Sequence, residues 1–392
     1  MEKKNLFYEN RKKAGNASFL LAIVILTVGC WNVYSWYEVM APLGTLISFV
    51  CLGVTLLCYV DLRTLLRDKM FILMVAGDIV TFIHLIIIKS GMGAFLTAAD
   101  LMLVLYLMDK IKLPKKISYG LIAYLGFYFF YWTVDVKGYF KGYNTNYGGL
   151  VLITGFIFAI MGLFVIRDYL QSKGKKILVY VLYAVLLFVI AMGYNIIAWY
   201  RARCALLGYL IFIILVLCPK GMWKNKVLYG LLRWGLTIGA IVISYVYVYL
   251  GQSGINIEIF YKSIMSGREE IWAELWVAFF NSPFMGIGSS YQMRLSWMDK
   301  MFEVHNGLLD ILFVHGISVF VIVMIMLQTR LKKLNLSAIQ SMPQKCALAG
   351  LFAVLASSFL ENFFIVPPFL LCFLLLGVLS VNLDAASSKV SG

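Results

Sequence analysis

Long apolar runs recur along this chain, and short polar breaks separate them. Runs of that length read as membrane-crossing helices. Hydrocarbon offers the backbone no hydrogen-bond partners, so such segments must close their own bonds as helices. The period-2 alternation of an outer-membrane barrel is absent. The pattern predicts about twelve spans: 17–35, 40–60, 70–88, 92–108, 117–134, 148–166, 177–199, 204–218, 229–250, 305–327, 347–364 and 366–382. The expected architecture is an all-α polytopic membrane protein, with residues 1–392 as a single integral membrane domain.

Composition agrees. The chain is 62% hydrophobic and 14% charged, with a mean hydropathy of +0.87. The first span lacks a small-residue cleavage site and reads as retained. The seven cysteines lie in or at the ends of apolar runs without a CxxC, which reads as buried structural thiols. The net charge of +15 suggests nucleic acid until the charges are placed on the spans. Of the 34 Lys and Arg, 25 then fall on the side of the N-terminus, and only Lys89, Lys137, Lys141, Arg201, Arg203, Lys262, Arg268, Arg294 and Lys300 fall on the other. The positive-inside rule puts both termini in the cytoplasm. The basic excess faces anionic lipid, not nucleic acid.

The longest polar stretch, 251–304, is then an external loop. Ser266 and Glu269 have the spacing of a capping box. Ile271, Trp272, Leu275, Trp276 and Phe279 follow on one helical face, and Pro283 ends the run. The expectation is an interfacial helix over 266–281, its tryptophans toward lipid. Arg268 falls in the first turn, where free N–H groups and the dipole favour an anion. An arginine reaching to lipid headgroups is its other reading.

Arg201 and Arg203 run against the positive-inside trend. An arginine in the bilayer costs about 2.5–3.5 kcal/mol on insertion scales, so a paired or functional role is the default. His305 opens a span beside Asn306, and imidazole suits proton transfer near neutral pH. His84 and His315 lie within spans and read as structural. Asp78, Asp100 and Asp310 lie in spans too and read as paired with polar neighbours in the bundle or as a proton relay, the mark of a transporter. Glu361 lies near the external end of the eleventh span. No cluster has metal-ligand spacing and no cofactor motif is present, so neither is expected.

These residues together resemble the O-antigen polymerase / O-antigen ligase family. Asn144-Thr145-Asn146 is similar to its N-P-N-like stretch, with Thr for Pro. Arg203-Cys204-Ala205 is similar to its S-R-G/A stretch, with Ala202 for Ser. Arg268 and Trp272 fit its R-x3-W, and Pro283, Gly286 and Gly288 fit its P-x2-G-x-G. His305, Asn306, Leu309 and Gly316 fit its H-N-x2-L and following glycine. The motifs span about residues 140–320 in the family's order.

The resemblance implies a GT-C-like helical glycosyltransferase. Its substrates would be an undecaprenyl-diphosphate-linked glycan donor and an acceptor sugar hydroxyl, joined at the outer face with inversion and without metal. Arg203 and Arg268 would hold the diphosphate, with Arg201 as a second clamp. His305 would take the proton. Asn306, Tyr291 and Glu361 would contact substrate. A separate chain-length regulator is implied as a partner. The expected reaction is polymerisation of lipid-linked repeat units for a capsule or O-antigen-type polysaccharide. Ligase-type transfer to a final envelope acceptor is the alternative within the same chemistry, and transport is the alternative outside it.

Overall fold

The computed structural model describes residues 2–31, 34–139, 145–255, 257–259, 262–263, 266–295, 303–337 and 341–383. Asn144, Lys141, Lys300 and Lys389 of the sequence argument lie outside these described residues.

The elements run α1 (Glu2–Trp31), α2 (Tyr34–Tyr59), a short α3 (Leu62–Leu65), α4 (Lys69–Ile87), α5 (Met92–Leu107), α6 (Lys115–Tyr139), α7 (Thr145–Ser172), α8 (Lys176–Trp199), α9 (Arg203–Leu217), a short α10 (Lys220–Lys224) and α11 (Lys226–Gln252). The strands β1 (Glu258–Ile259) and β2 (Lys262–Ser263) follow, then α12 (Arg268–Asn281), α13 (Gly307–Ser337), α14 (Met342–Ser357), a 3-10 turn at Phe363–Ile365 and α15 (Pro367–Asn382). The strands form one small antiparallel hairpin, with Glu258 opposite Ser263. Among the described residues the rest is helix and loop.

Helices α1, α2, α4 to α9, α11 and α13 to α15 overlap the predicted spans in their described residues. Five are long and apolar enough to cross a membrane: α4, α8, α11, α7 from Gly148 and α13 as far as Leu334. Five shorter apolar helices accompany them. The chain is an all-α, multi-pass membrane protein. One span is shorter than predicted: α14 stops at Ser357 rather than near 364. The carbonyls of Ser358, Phe359 and Leu360 leave the helix ladder and accept bonds from Gly307, Asn306 and Arg268.

The chain divides into two compact units. The first comprises residues 1–111, 237–331 and 358–375; the second comprises 112–236, 332–357 and 376–392.

In the first unit α1 packs along α2, and α5 packs on both α2 and α4. Polar groups close one end of it. Asp68 caps α4 by accepting from the Met70 N–H at 3.0 Å, and its other oxygen pairs with Lys110 Nζ at 2.7 Å. Arg330 is almost fully buried, donates to the Leu105 and Tyr106 carbonyls and pairs with Asp109. Those partners satisfy the guanidinium away from water.

The glycines of the P-x2-G-x-G stretch gain a reason here. α13 is broken at Gly316, whose φ of 74° and ψ of 176° leave the helix. The break orphans carbonyls that a helix would pair. The Ile287 N–H donates to Phe313 O at 2.8 Å, and the Gly288 N–H to Val314 O at 3.2 Å. The Ile317 N–H donates to Pro283 O at 2.8 Å, and Ser318 Oγ to Phe284 O at 2.8 Å. Gly286 has φ 79°, and a Cβ there would lie 2.5 Å from Val314 O and from Gly316 N. Only glycine lets these two backbones approach so closely.

In the second unit small residues bring helices together, as membrane helices commonly pack. A Cβ on Gly149 of α7 would lie 2.3 Å from the Ala202 methyl, and one on Gly208 of α9 would lie 2.9 Å from Ala353 O.

Candidate functional site

The site lies in the first unit, where three segments meet: the start of α12, the turn before α13 and the loop after α14. Arg268 is the first residue of α12. Its side chain is only 7% exposed and that of Glu361 only 3%. Arg268 Nη2 donates to Glu361 Oε1 at 2.5 Å, and its Nε donates to Leu360 O at 3.1 Å. The other oxygen, Glu361 Oε2, lies 3.2 Å from His305 Nδ1. Glu361 therefore bridges the arginine and the histidine. A buried ion pair offsets its desolvation only when its remaining donors and acceptors are also paired. Here both carboxylate oxygens are engaged.

The bridge sets the tautomer. A carboxylate oxygen only accepts, so in the neutral ring the proton belongs on Nδ1 and the lone pair on Nε2. His305 is partly exposed and sits at φ 52°, a left-handed conformation that a non-glycine residue rarely adopts. Glu303, exposed, has Oε1 3.5 Å from the same Nδ1.

Neighbouring groups hold this turn. Trp272 Nε1 donates to Val304 O at 2.7 Å. Asn306 is wholly buried and caps α13, its Oδ1 accepting from Leu308 and Leu309 N–H at 3.2 and 3.1 Å. Its Nδ2 donates to Ala240 O and Phe359 O at 3.0 Å each. The amide is thus fully used within the fold. Asn306 is a framework residue, not the sugar contact expected.

Three expectations for the external helix change. Ser266 and Glu269 form no capping box. Ser266 (φ 53°) and Gly267 (φ 83°) are both left-handed, Gly267 takes the cap position, and Ser266 Oγ donates to Ser263 O. The first turn carries its own acids, Glu269 and Glu270, which already complement the dipole. The tryptophans do not face lipid. Trp276 stacks on Tyr245 at 4.3 Å and meets Phe313 edge-on at 4.9 Å, while Trp272 lies 5.1 Å from Tyr247. Val277, Phe280 and Phe284 are the exposed apolar residues instead. Arg268 is no open cation but a buried one.

Tyr291 lies in the loop between α12 and α13 and donates its hydroxyl to Glu274 Oε1 at 3.0 Å. The same oxygen accepts the Arg294 N–H at 2.8 Å. Partial burial, together with this bond and charge, raises the Tyr291 pKa. Asp310 lies one turn into α13, with Asn362 Nδ2 3.5 Å from its Oδ2. Asp78 and Asp100 belong to α4 and α5.

Arg201 and Arg203 belong to the second unit. Arg203 opens α9 behind Ala202, which caps it without a side-chain bond and wedges its methyl against Gly149. That contact suits alanine where the family has serine. Arg201, exposed, occupies a left-handed turn at φ 55°.

Residues 188–324 match the family model described as O-antigen ligase. Over this segment the chain is similar to the O-antigen ligase family. The segment carries Arg201, Arg203, Arg268, Tyr291, His305 and Asn306. Glu361 lies outside it, yet joins Arg268 and His305, which lie within it. Glu303 drew no notice in the sequence, because a lone acid before a histidine has no pattern of its own. No curated protein and no solved structure matches the chain.

Proposed function

We propose that the chain transfers a glycan from undecaprenyl diphosphate to an acceptor hydroxyl at the outer face of the bacterial cytoplasmic membrane. The observation that carries this reading is Glu361 seated between Arg268 and the Nδ1 of His305. His305 Nε2 takes the proton as the acceptor oxygen bonds to the anomeric carbon. The bond from that carbon to the diphosphate breaks, and its electron pair leaves with the diphosphate oxygen. One displacement inverts the configuration. Arg268 spends Nε and one Nη on the protein and offers its remaining N–H to the leaving charge. The guanidinium supplies the charge stabilisation that a metal provides elsewhere. Tyr291 contacts the glycan from its seat on Glu274.

The topology that supports this reading has about twelve spans, both termini in the cytoplasm and the 251–304 segment outside. The family match favours ligase-type transfer to a final envelope acceptor over the polymerase that the sequence alone suggested. Both reactions need the same clamp and base, and a chain-length regulator would partner a polymerase. Deletion in the source organism separates them. Undischarged long chains on the lipid mark a ligase, and single repeat units mark a polymerase. A transporter would instead lose function on substitution of Asp78, Asp100 and Asp310 while tolerating His305→Ala.

A further inference from the structure

The Nδ1 of His305 faces two carboxylates, and the transfer reaction uses only one of them. Glu303 Oε1 is 3.5 Å from Nδ1 and Glu361 Oε2 is 3.2 Å from it, with all three atoms within 4.8 Å of one another. A tetrahedral zinc ion with ligands at about 2.0–2.2 Å holds neighbouring ligand atoms about 3.3 Å apart. The two measured edges, 3.2 and 3.5 Å, lie close to that value, and the third is no longer than 4.8 Å. Imidazole nitrogen and carboxylate oxygen are both zinc donors, and three protein ligands leave a fourth position open. Arg268 holds the far oxygen of Glu361, so Oε2 is the oxygen turned to His305.

We propose that Glu303, His305 and Glu361 form a zinc-binding site whose occupancy turns the transfer reaction off. The inhibition rests on the reading of His305 as the base; the binding does not. Zinc takes the Nδ1 lone pair and displaces the proton there. The neutral ring then carries its proton on Nε2, the atom that must accept one from the acceptor hydroxyl. A metal-bound ring of this tautomer is no base at that position. Glu303 has no part in the transfer step, so its loss should separate the two properties.

The test uses the full chain in detergent micelles, titrated with zinc chloride against a chromophoric chelator, with glycan transfer measured in parallel. The expected result is one zinc per chain and transfer that falls as the site fills and returns on chelation. In Glu303→Ala, which puts no donor beside Nδ1, metal-free transfer should match the parent, and zinc binding and inhibition should both weaken by more than about tenfold, since loss of an outer-shell partner alone costs about 10–100-fold. Failure of zinc to bind, or equal affinity in Glu303→Ala, overturns the site. Binding without inhibition overturns the switch. Full metal-free activity of His305→Ala, with zinc binding lost in that variant, overturns the base assignment and the switch but leaves the site standing.

Discussion

Oε2 of Glu361 lies 3.2 Å from Nδ1 of His305, although 56 residues separate them in the chain. That contact fixes the tautomer the proposed base needs, and the opposite oxygen is fixed by Arg268. An amide in place of the carboxylate could donate to Nδ1 and invert the tautomer. Glu361→Gln should therefore lose about 10²–10⁴-fold of transfer activity, the contribution of a general base. The check is a steady-state assay beside a thermal unfolding curve, the curve showing whether the protein remains folded.

The Arg268–Glu361 pair predicts a specific non-additivity. Arg268→Met leaves a buried carboxylate without its partner and should cost about 3–5 kcal/mol of stability. Adding Glu361→Leu removes the orphaned charge and should recover most of that loss. Activity should stay absent in the double variant. Unfolding in detergent measures both arms, and strict additivity would mean that the pair does not interact as described.

Part of this was legible in the sequence. Hydrophobic runs long enough to span a bilayer locate the helices, because no other structure satisfies their backbones in lipid. Arg268 and His305 stand out as polar residues beside apolar runs. What could not be read was pairing across the fold: Glu361 is 93 residues from Arg268. The capping box failed because S-x-x-E does not encode the left-handed turn that Ser266 and Gly267 adopt. Asn306 was readable in principle, since an asparagine just before a helical run is a strong N-cap signal. Its neighbour His305 drew it into the catalytic reading instead.

The break in α13 predicts that Gly286 and Gly316 are intolerant. Alanine at either meets backbone atoms closer than 3.0 Å and must hold a positive φ. The left-handed conformation alone costs about 1–2 kcal/mol, and the clash adds to it. Gly286→Ala should lower the unfolding midpoint more than Gly53→Ala, which meets nothing within 4 Å. Equal midpoints would argue against the tight apposition.

Asp68 provides a pH-dependent test away from the site. Burial alone would raise its carboxyl, but the Lys110 ammonium, the Met70 N–H and the Tyr106 hydroxyl outweigh that and hold it below its usual value. A carboxyl with a lowered pKa in the folded state adds stability at neutral pH, and the gain fades as pH falls through the usual carboxylate range, near about 4, to the folded value. Asp68→Asn should destabilise the chain by no more than about 1 kcal/mol at pH 7 and flatten this dependence. Unfolding midpoints taken across acidic pH should converge for the two proteins.

The central claim is that His305 is the base for discharging a lipid diphosphate. The direct measurement mixes the purified chain with a labelled undecaprenyl-diphosphate-linked oligosaccharide and an acceptor glycan, without nucleotide or added metal. The account predicts transfer of label to the acceptor by the parent chain. It predicts none above background for folded His305→Ala or Arg268→Ala. Full transfer by both variants would contradict it.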